Sequence, residues 1–310
     1  MVQPLVYIVV LNWNGSEETI RCLSSLSALA YPNYRVLIVD NGSTDKSVEQ
    51  LRGAFPEHEI LQTGANLGYA GGNNAGICRA LSQGADYVWI LNNDTLIEPD
   101  ALTILVETAK EHPGLVALSP KVVMPGSQAS AGADLIWFYG CTMSRYTCDT
   151  THTSKAEPDA QEFSATIATD YLCGCALLLS RQVLSCVGLL DARYFLYFED
   201  TDWSIRARNH GVDLLVVGSA VVHHKPHTST DKLPSHRTSF YSTRNRLLLA
   251  SSHPEKANFP AVLAFVVVHL FLSFLRALMR GRTRWAYLRN VAAALLCFLA
   301  RRFGRAPAWV

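Results

Sequence analysis

The sequence is poor in several common signatures, and each absence narrows what the chain can do. Its eight cysteines form no Cys-x-x-Cys pair and no zinc spacing. Cys173 and Cys175 are too close for an ordinary disulfide, so the cysteines read as reduced thiols of a cytosolic chain. No Gly-Lys-Ser/Thr closes a phosphate loop, and no dinucleotide fingerprint follows the first strand. No basic segment with an apolar run precedes that strand, so a secretory leader is not expected. Charged residues make up only 17%. Acids nearly vanish from the last quarter: Ser235 to Val310 holds twelve Lys/Arg against one acid, Glu255, a net +11.

The first 234 residues therefore carry −10 beneath an overall net charge of +1. That acidic part would repel a phosphate backbone, so nucleic acid is not an expected partner. With 310 residues, 49% of them apolar, the chain can bury a sizeable core in one large or two modest domains.

Strand and helix signals alternate over the first 120 residues. Leu5 to Leu11 is a continuous apolar run, as in a strand buried on both faces. Ser16 opens a helix whose apolar residues recur at Ile20, Leu23, Leu26 and Leu29. Strands follow at Tyr34–Val39, Ile60–Leu61 and Tyr87–Leu91, with helices around Val48–Leu51, Gly71–Leu81 and Pro99–Glu111. This repetition predicts an α/β fold with a mostly parallel central sheet and ligands beyond the carboxyl ends of its strands. Pro125 to Thr166 reads as long loops or an irregular hairpin, a flap over a site. Order returns with a strand at Cys173–Leu179, helices at Arg181–Val187 and Asp202–His210, and a strand from Asp213. Residues 1–232 are expected to form the catalytic domain and 233–310 a helical extension.

Four polar clusters fall at predicted strand ends. Asp40 can accept from a base N–H or ribose hydroxyls, or simply cap a turn. Asp94, after Asn92 and Asn93, suits a hard cation bridging phosphates, or a plain turn. Glu199, Asp200 and Asp202 repel one another beside aromatics, which raises a carboxylate toward use as a base. His223 and His224 close a strand, where histidine can ligate a divalent metal. The segment Asn66-Leu67-Gly68-Tyr69-Ala70-Gly71-Gly72-Asn73-Asn74 can present backbone N–H groups to a phosphate, and Asn66 and Asn73 are counted with the nucleotide-binding candidates.

In order, Val9–Gly15, Val39–Asp45, Asn66–Asn74, Leu91–Asp94, Gly174, Phe198–Asp202 and Val222–His224 closely resemble a family 2 glycosyltransferase with the GT-A fold, of the bacterial rhamnosyltransferase-like branch. The resemblance runs from residue 5 to about 250, ending in Tyr241-Ser242-Thr243-Arg244-Asn245-Arg246. It implies an inverting transferase using a nucleotide-activated sugar, dTDP-rhamnose or a UDP-hexose. It implies that Leu11, Asn12 and Asp40 hold the pyrimidine base. Asp94 would bind Mg²⁺ or Mn²⁺ on the diphosphate, with Asn92 and Asn93 near the ribose and metal. His224 would be a further metal ligand, with His223 its runner-up. Asp200 would be the catalytic base and Glu199 the second choice. The family's metal motif is usually Asp-x-Asp; here the first acid is Asn92, which weakens cation binding.

In the tail, Phe259–Leu275 is borderline for the ~20 apolar residues that span a bilayer, and Val291–Ala300 is too short. Arginines flank both stretches. Helices lying on an anionic membrane surface fit this pattern, against a buried pair in a soluble domain. The expected location is the cytoplasmic face of the bacterial inner membrane, with a polyprenyl-diphosphate-linked saccharide as acceptor. Deleting residues beyond about Pro254 is expected to release the protein from membranes. Trp137, Phe138 and Tyr139 are candidates to stack on acceptor sugars, or to form local core. A non-catalytic sugar-nucleotide-binding scaffold is the alternative that Asn92 favours. A nucleotidyltransferase is disfavoured because Asn12–Glu18 holds two acids and no base.

Overall fold

Val6 to Val10 are buried without exception, as a run of β-branched residues with Tyr7 must be when helices cover both faces of its sheet. A computed structural model describes residues 3–126, 132–224, 235–280 and 283–307. The elements alternate in order: β1 (Val6–Asn12), α1 (Ser16–Leu26), β2 (Tyr34–Asp40), α2 (Ser47–Ala54), β3 (Glu59–Gln62), α3 (Gly68–Ser82), β4 (Tyr87–Asn92), β5 (Thr95–Ile97) and α4 (Ala101–Glu111). Next come β6 (Val116–Met124), β7 (Leu135–Phe138), β8 (Cys141–Met143), β9 (Thr150–His152), β10 (Thr166–Ala168), β11 (Ala176–Ser180), α5 (Arg181–Val187), α6 (Glu199–Asn209) and β12 (Asp213–His224). Three helices follow: α7 (Ser235–Ser252), α8 (Phe259–Arg280) and α9 (Thr283–Leu299).

The main sheet runs β10-β12-β6-β11-β4-β1-β2-β3, with β5 on β12 and β7 on β6. β3, β2, β1 and β4 are parallel to one another, and β6 is parallel to β12. Between these blocks β11 is antiparallel to both neighbours. The long strands are thus mostly parallel, as the alternation implies, and β11 is the exception it does not foresee. β6 is also absent from the sequence reading, because Pro120 and Lys121 interrupt its apolar run. Pro120, which has no N–H to give, sits where the register of β12 jumps from Val217 to Val221. Lys121, 4% exposed, points its ammonium at Asp159 across 2.7 Å.

The segment expected as loops or an irregular hairpin contains β7 and the small β8–β9 hairpin; its residues 127–131 lie outside the described residues. The boundary expected between residues 232 and 233 also lies outside them. The helices beyond it share apolar clusters with the sheet-bearing part. Tyr194 and Ile205 pack with Leu247 to Ala250 of α7, and Phe195 with Tyr241 and Ala294. Among the described residues, no helix is long and apolar enough to cross a membrane.

Candidate active site

The parallel strands deliver their polar ends to one edge. Asn12 and Asp40 are register partners at the ends of β1 and β2. Both are buried, and the Asn12 amide donates to Asp40 Oδ2 (3.0 Å) and Ser43 Oγ (3.1 Å). Ser43 N–H donates to Asp40 Oδ1 (3.1 Å). Asp40 therefore caps the turn after β2, one of the two roles offered by the sequence, and fixes the Asn12 amide at once. Asn12 Oδ1 accepts from Thr19 Oγ1 (2.9 Å), which in turn accepts from the Asn93 amide (3.0 Å). One hydrogen-bonded chain thus joins Asp40, Asn12, Thr19 and Asn93 across three strand ends.

Asn41 organises the neighbouring loop. Its Oδ1 accepts from Leu67 N–H (3.0 Å) and its amide donates to the Gly68 carbonyl (3.0 Å). Asn66 Oδ1 accepts from Gly68 N–H (2.8 Å). Gly68 has φ +76°, and a Cβ there would collide with the carbonyl of Phe195. Half-buried Leu11 lies against α3 at Gly72. Asn73 is wholly buried and its amide donates to the Tyr69 carbonyl (3.0 Å) within α3. It belongs to the helix interior and, among the described residues, makes no hydrogen bond to the other candidates.

The metal candidates separate cleanly. His224 Nε2 lies 3.2 Å from Asp94 Oδ1, with both side chains buried. Its ring meets Trp137 edge-on at 4.8 Å, and its Nδ1 is buried without a hydrogen-bond partner among the described residues. His223, one residue earlier on the strand, faces the other way, toward Glu98 (2.7 Å) and Asp134 (3.2 Å). The geometry therefore favours His224 over His223 beside Asp94. Lys225, Pro226 and His227 of the same motif lie outside the described residues. Among the described residues no cluster of three or more His, Cys, Asp and Glu side chains is placed to hold a metal. A carboxylate oxygen and an imidazole nitrogen about as far apart as adjacent ligands of an octahedral ion nonetheless fit a Mg²⁺-type cation, which takes its other ligands from phosphate and water.

The acids of α6 sort into three environments. Asp200 Oδ2 accepts from Tyr171 Oη (2.8 Å) and Gly174 N–H (3.1 Å), and Oδ1 from Thr201 N–H (2.7 Å). Burial pushes its carboxyl up, and these hydrogen bonds oppose the shift. Glu199 is buried, and its Oε2 has no hydrogen-bond partner among the described residues. Burial and then the Asp200 charge hold its pKa well above the carboxylate range. Asp202 is different again. Burial would raise it, but His253 (2.8 Å) and Arg206 (2.8 Å) outweigh that and hold it below the usual value. It ties α6 to the end of α7.

Backbone strain precedes these acids: Phe195, Tyr197 and Phe198 have φ of 64°, 69° and 73°. Left-handed non-glycine residues cost about 1–3 kcal/mol each and persist where surroundings over-determine them. The Phe195 carbonyl accepts from Tyr69 N–H (2.7 Å), and the Tyr69 hydroxyl donates to the Gly174 carbonyl. Cys175, next to Gly174, accepts from Asn92 N–H (2.9 Å). The loop before α6, the segment around Gly174 and the Asn92-Asn93-Asp94 turn are thereby held side by side. Not foreseen from the sequence are Thr19, Ser43 and Asn41 as organisers, Tyr171 as a donor to Asp200, and Tyr69 as a donor to the Gly174 carbonyl beside it. Only Tyr69, Asn41 and Ser43 lay inside the sequence motifs. Of the aromatic candidates, Phe138 and Tyr139 are core, and Trp137 faces His224.

The edge thus gathers a polar cradle at parallel strand ends, a buried carboxylate–imidazole pair and a hydrogen-bonded acid at a helix start. The chain belongs to glycosyl transferase family 2, whose family model matches residues 7–188. It is 27% identical over 265 residues to an N-acetylglucosaminyl-diphospho-decaprenol L-rhamnosyltransferase of Mycobacterium tuberculosis, covering 79% of this chain and 84% of that one. It is 24% identical over 255 residues to a low-salt glycan biosynthesis hexosyltransferase of Haloferax volcanii, covering 79% and 75%. Two solved structures share the fold. A mannosyltransferase from Pyrobaculum calidifontis in complex with GDP-Man and Mn²⁺ matches with TM-score 0.57 at 14% identity, over 97% of this chain and 89% of its own. GalNAc-T7 with UDP, GalNAc and Mn²⁺ matches with TM-score 0.58 at 11% identity, over 84% of this chain and 56% of its own.

Proposed function

We propose that this family 2 glycosyltransferase is an inverting enzyme that moves rhamnose from dTDP-rhamnose, or a hexose from a UDP-hexose, to a hydroxyl of a polyprenyl-diphosphate-linked saccharide in bacterial surface polysaccharide synthesis. The observation that carries it is the half-buried Asp200 carboxylate at the start of α6, held in place by three donors, Tyr171 Oη, Gly174 N–H and Thr201 N–H. The acceptor hydroxyl attacks the anomeric carbon opposite the departing nucleoside diphosphate, and Asp200 takes its proton as the bond forms. No enzyme nucleophile intervenes, so the anomeric centre inverts. Asn12, Asp40 and Asn93 cradle the nucleoside, and Asp94 with His224 would hold Mg²⁺ or Mn²⁺. When bound, the cation supplies positive charge to the leaving diphosphate. The decaprenol-linked name of the mycobacterial relative supports a lipid-linked acceptor.

The tail gives such an acceptor a place to be met. On α8, Val267, Val268 and Phe271 are 51, 55 and 58% exposed, and on α9 Leu296 and Leu299 are 65 and 75%. Exposed Arg289, Arg301, Arg302 and Arg305 accompany them; the side chains of Arg276, Arg280, Arg282 and Arg284 lie outside the described residues. We assign this surface to the anionic cytoplasmic leaflet of the inner membrane.

Thermal shift of the purified protein against pyrimidine and purine nucleoside diphosphates and their sugars, with and without Mn²⁺, tests the donor assignment. A Mn²⁺-dependent rise with one pyrimidine donor is expected. Binding without turnover of any saccharide acceptor would favour the scaffold reading that neutral Asn92 suggests.

A further inference from the structure

The strained loop before α6 has its carbonyl groups gathered from one side by two side chains of α7. Arg244 is 1% exposed and Asn245 is fully buried. The two N–H groups of the Asn245 amide are shared among the carbonyls of Tyr194 (2.9 Å), Leu196 (2.8 Å) and Tyr197 (2.9 Å). The Arg244 guanidinium donates to the carbonyls of Tyr194 (3.1 Å), Arg193 (3.3 Å) and Gly304 (2.7 Å), and its Nε to Asn245 Oδ1 (3.0 Å). It also lies over the rings of Phe240 and Tyr241, at 5.2 and 5.3 Å. Among the described residues, the hydrogen bonds of the guanidinium end on neutral oxygens. Burying a cation without a carboxylate is costly, and what this one secures is the path of a backbone that the φ/ψ map disfavours. The loop leads directly into Glu199 and Asp200, and its Phe198 carbonyl accepts from Asp202 N–H (2.8 Å).

We infer that Arg244 and Asn245 are positioning residues for glycosyl transfer: they hold the 193–198 loop in its left-handed path and thereby set the Asp200 carboxylate against the acceptor hydroxyl. The inference rests on Asp200 as the base. It assigns a task to the Arg-Asn pair that ends the sequence resemblance, outside the 7–188 match of the family model.

The test is steady-state kinetics of the full chain with donor and acceptor, for wild type, N245A, R244K and D200N, alongside donor-nucleotide affinity and the pH profile of kcat. Misplacing a catalytic group by an ångström costs up to about 100-fold. N245A is therefore expected to lose about 10- to 100-fold in kcat, with donor affinity within about threefold and a displaced acid limb. R244K keeps the buried charge but not the planar fork. It should show the same split more mildly, and it decides the matter if N245A does not fold. Loss of thermal stability with kcat and its pH profile unchanged in the folded variants overturns the inference, as does a change confined to donor affinity. If D200N turns over at the wild-type rate, the base assignment itself has failed. If D200N is inactive while N245A and R244K match wild type, only the positioning inference has.

Discussion

The Tyr171 hydroxyl donates to Asp200 Oδ2 across 2.8 Å, from a strandless segment 29 residues earlier in the chain. That bond stabilises the charged carboxylate and so lowers its pKa against the upward push of burial. Y171F removes the donor and leaves the ring. As the proposed base Asp200 must be ionised to accept a proton, so its pKa is expected to set the acid limb of the rate. Y171F should move that limb to higher pH and lower kcat, most at the acid end. A pH–rate profile that superposes on wild type would remove Tyr171 from the account.

Glu199 makes the opposite case. Its pKa is raised in the folded protein, so above the ordinary glutamate range the native state binds a proton that the unfolded state has released. Stability then falls as pH rises from that range toward the raised value. E199Q mimics the protonated acid. It should remove that part of the pH dependence of denaturant midpoints, and it should keep activity within about tenfold, far above D200N.

Asp202 is expected to matter for folding and not for chemistry. D202N breaks a buried pair with Arg206 and His253 and should cost about 3–5 kcal/mol. Its folded pKa is depressed, so its contribution is full above the unfolded aspartate value and is lost as pH falls through the folded one. Urea denaturation at pH 7 and at successively lower pH reads both effects; equal midpoints for wild type and D202N at pH 7 would contradict the assignment.

Removing His224 should abolish the Mn²⁺-dependent part of the nucleotide thermal shift, whereas H223A should leave it intact. The strand alternation that separates the two side chains makes the pair a built-in control. Equal losses in both variants would place the cation elsewhere.

For the membrane surface, V268E/F271E should reduce flotation with anionic vesicles, with donor turnover in solution unchanged. This replaces the truncation beyond Pro254 suggested by the sequence. Gly304 N–H donates to the Arg193 carbonyl (2.7 Å) and Ala306 N–H to Tyr241 Oη (2.8 Å). The end of the chain thus braces the loop before α6, and its deletion would disturb the site as well as the surface.

Much of this was legible in one dimension because strand ends announce themselves: Asp40, Asp94 and His224 each follow an apolar run. The strand period even separates His223 from His224, once the pairing of His224 with Thr95 is known. β6 was hidden by Pro120 and Lys121, which only the bulge in β12 and the partner Asp159 explain. Tyr171 was illegible because it lies in no motif and reaches Asp200 only through the antiparallel β11 turn. Arg244 and Asn245 stood in plain view, but a helix interior offers no clue that its polar side chains face another segment's carbonyls.

The central claim is that Asp200 is the single base of an inverting transfer. Donor binding and turnover of D200N, measured together on protein that retains the wild-type melting temperature, test it most directly. The account predicts donor affinity within about threefold and turnover lowered by about 10²–10⁴, with the wild-type product inverted at the anomeric carbon. D200N turnover near the wild-type rate, or a retained anomeric configuration, would contradict it.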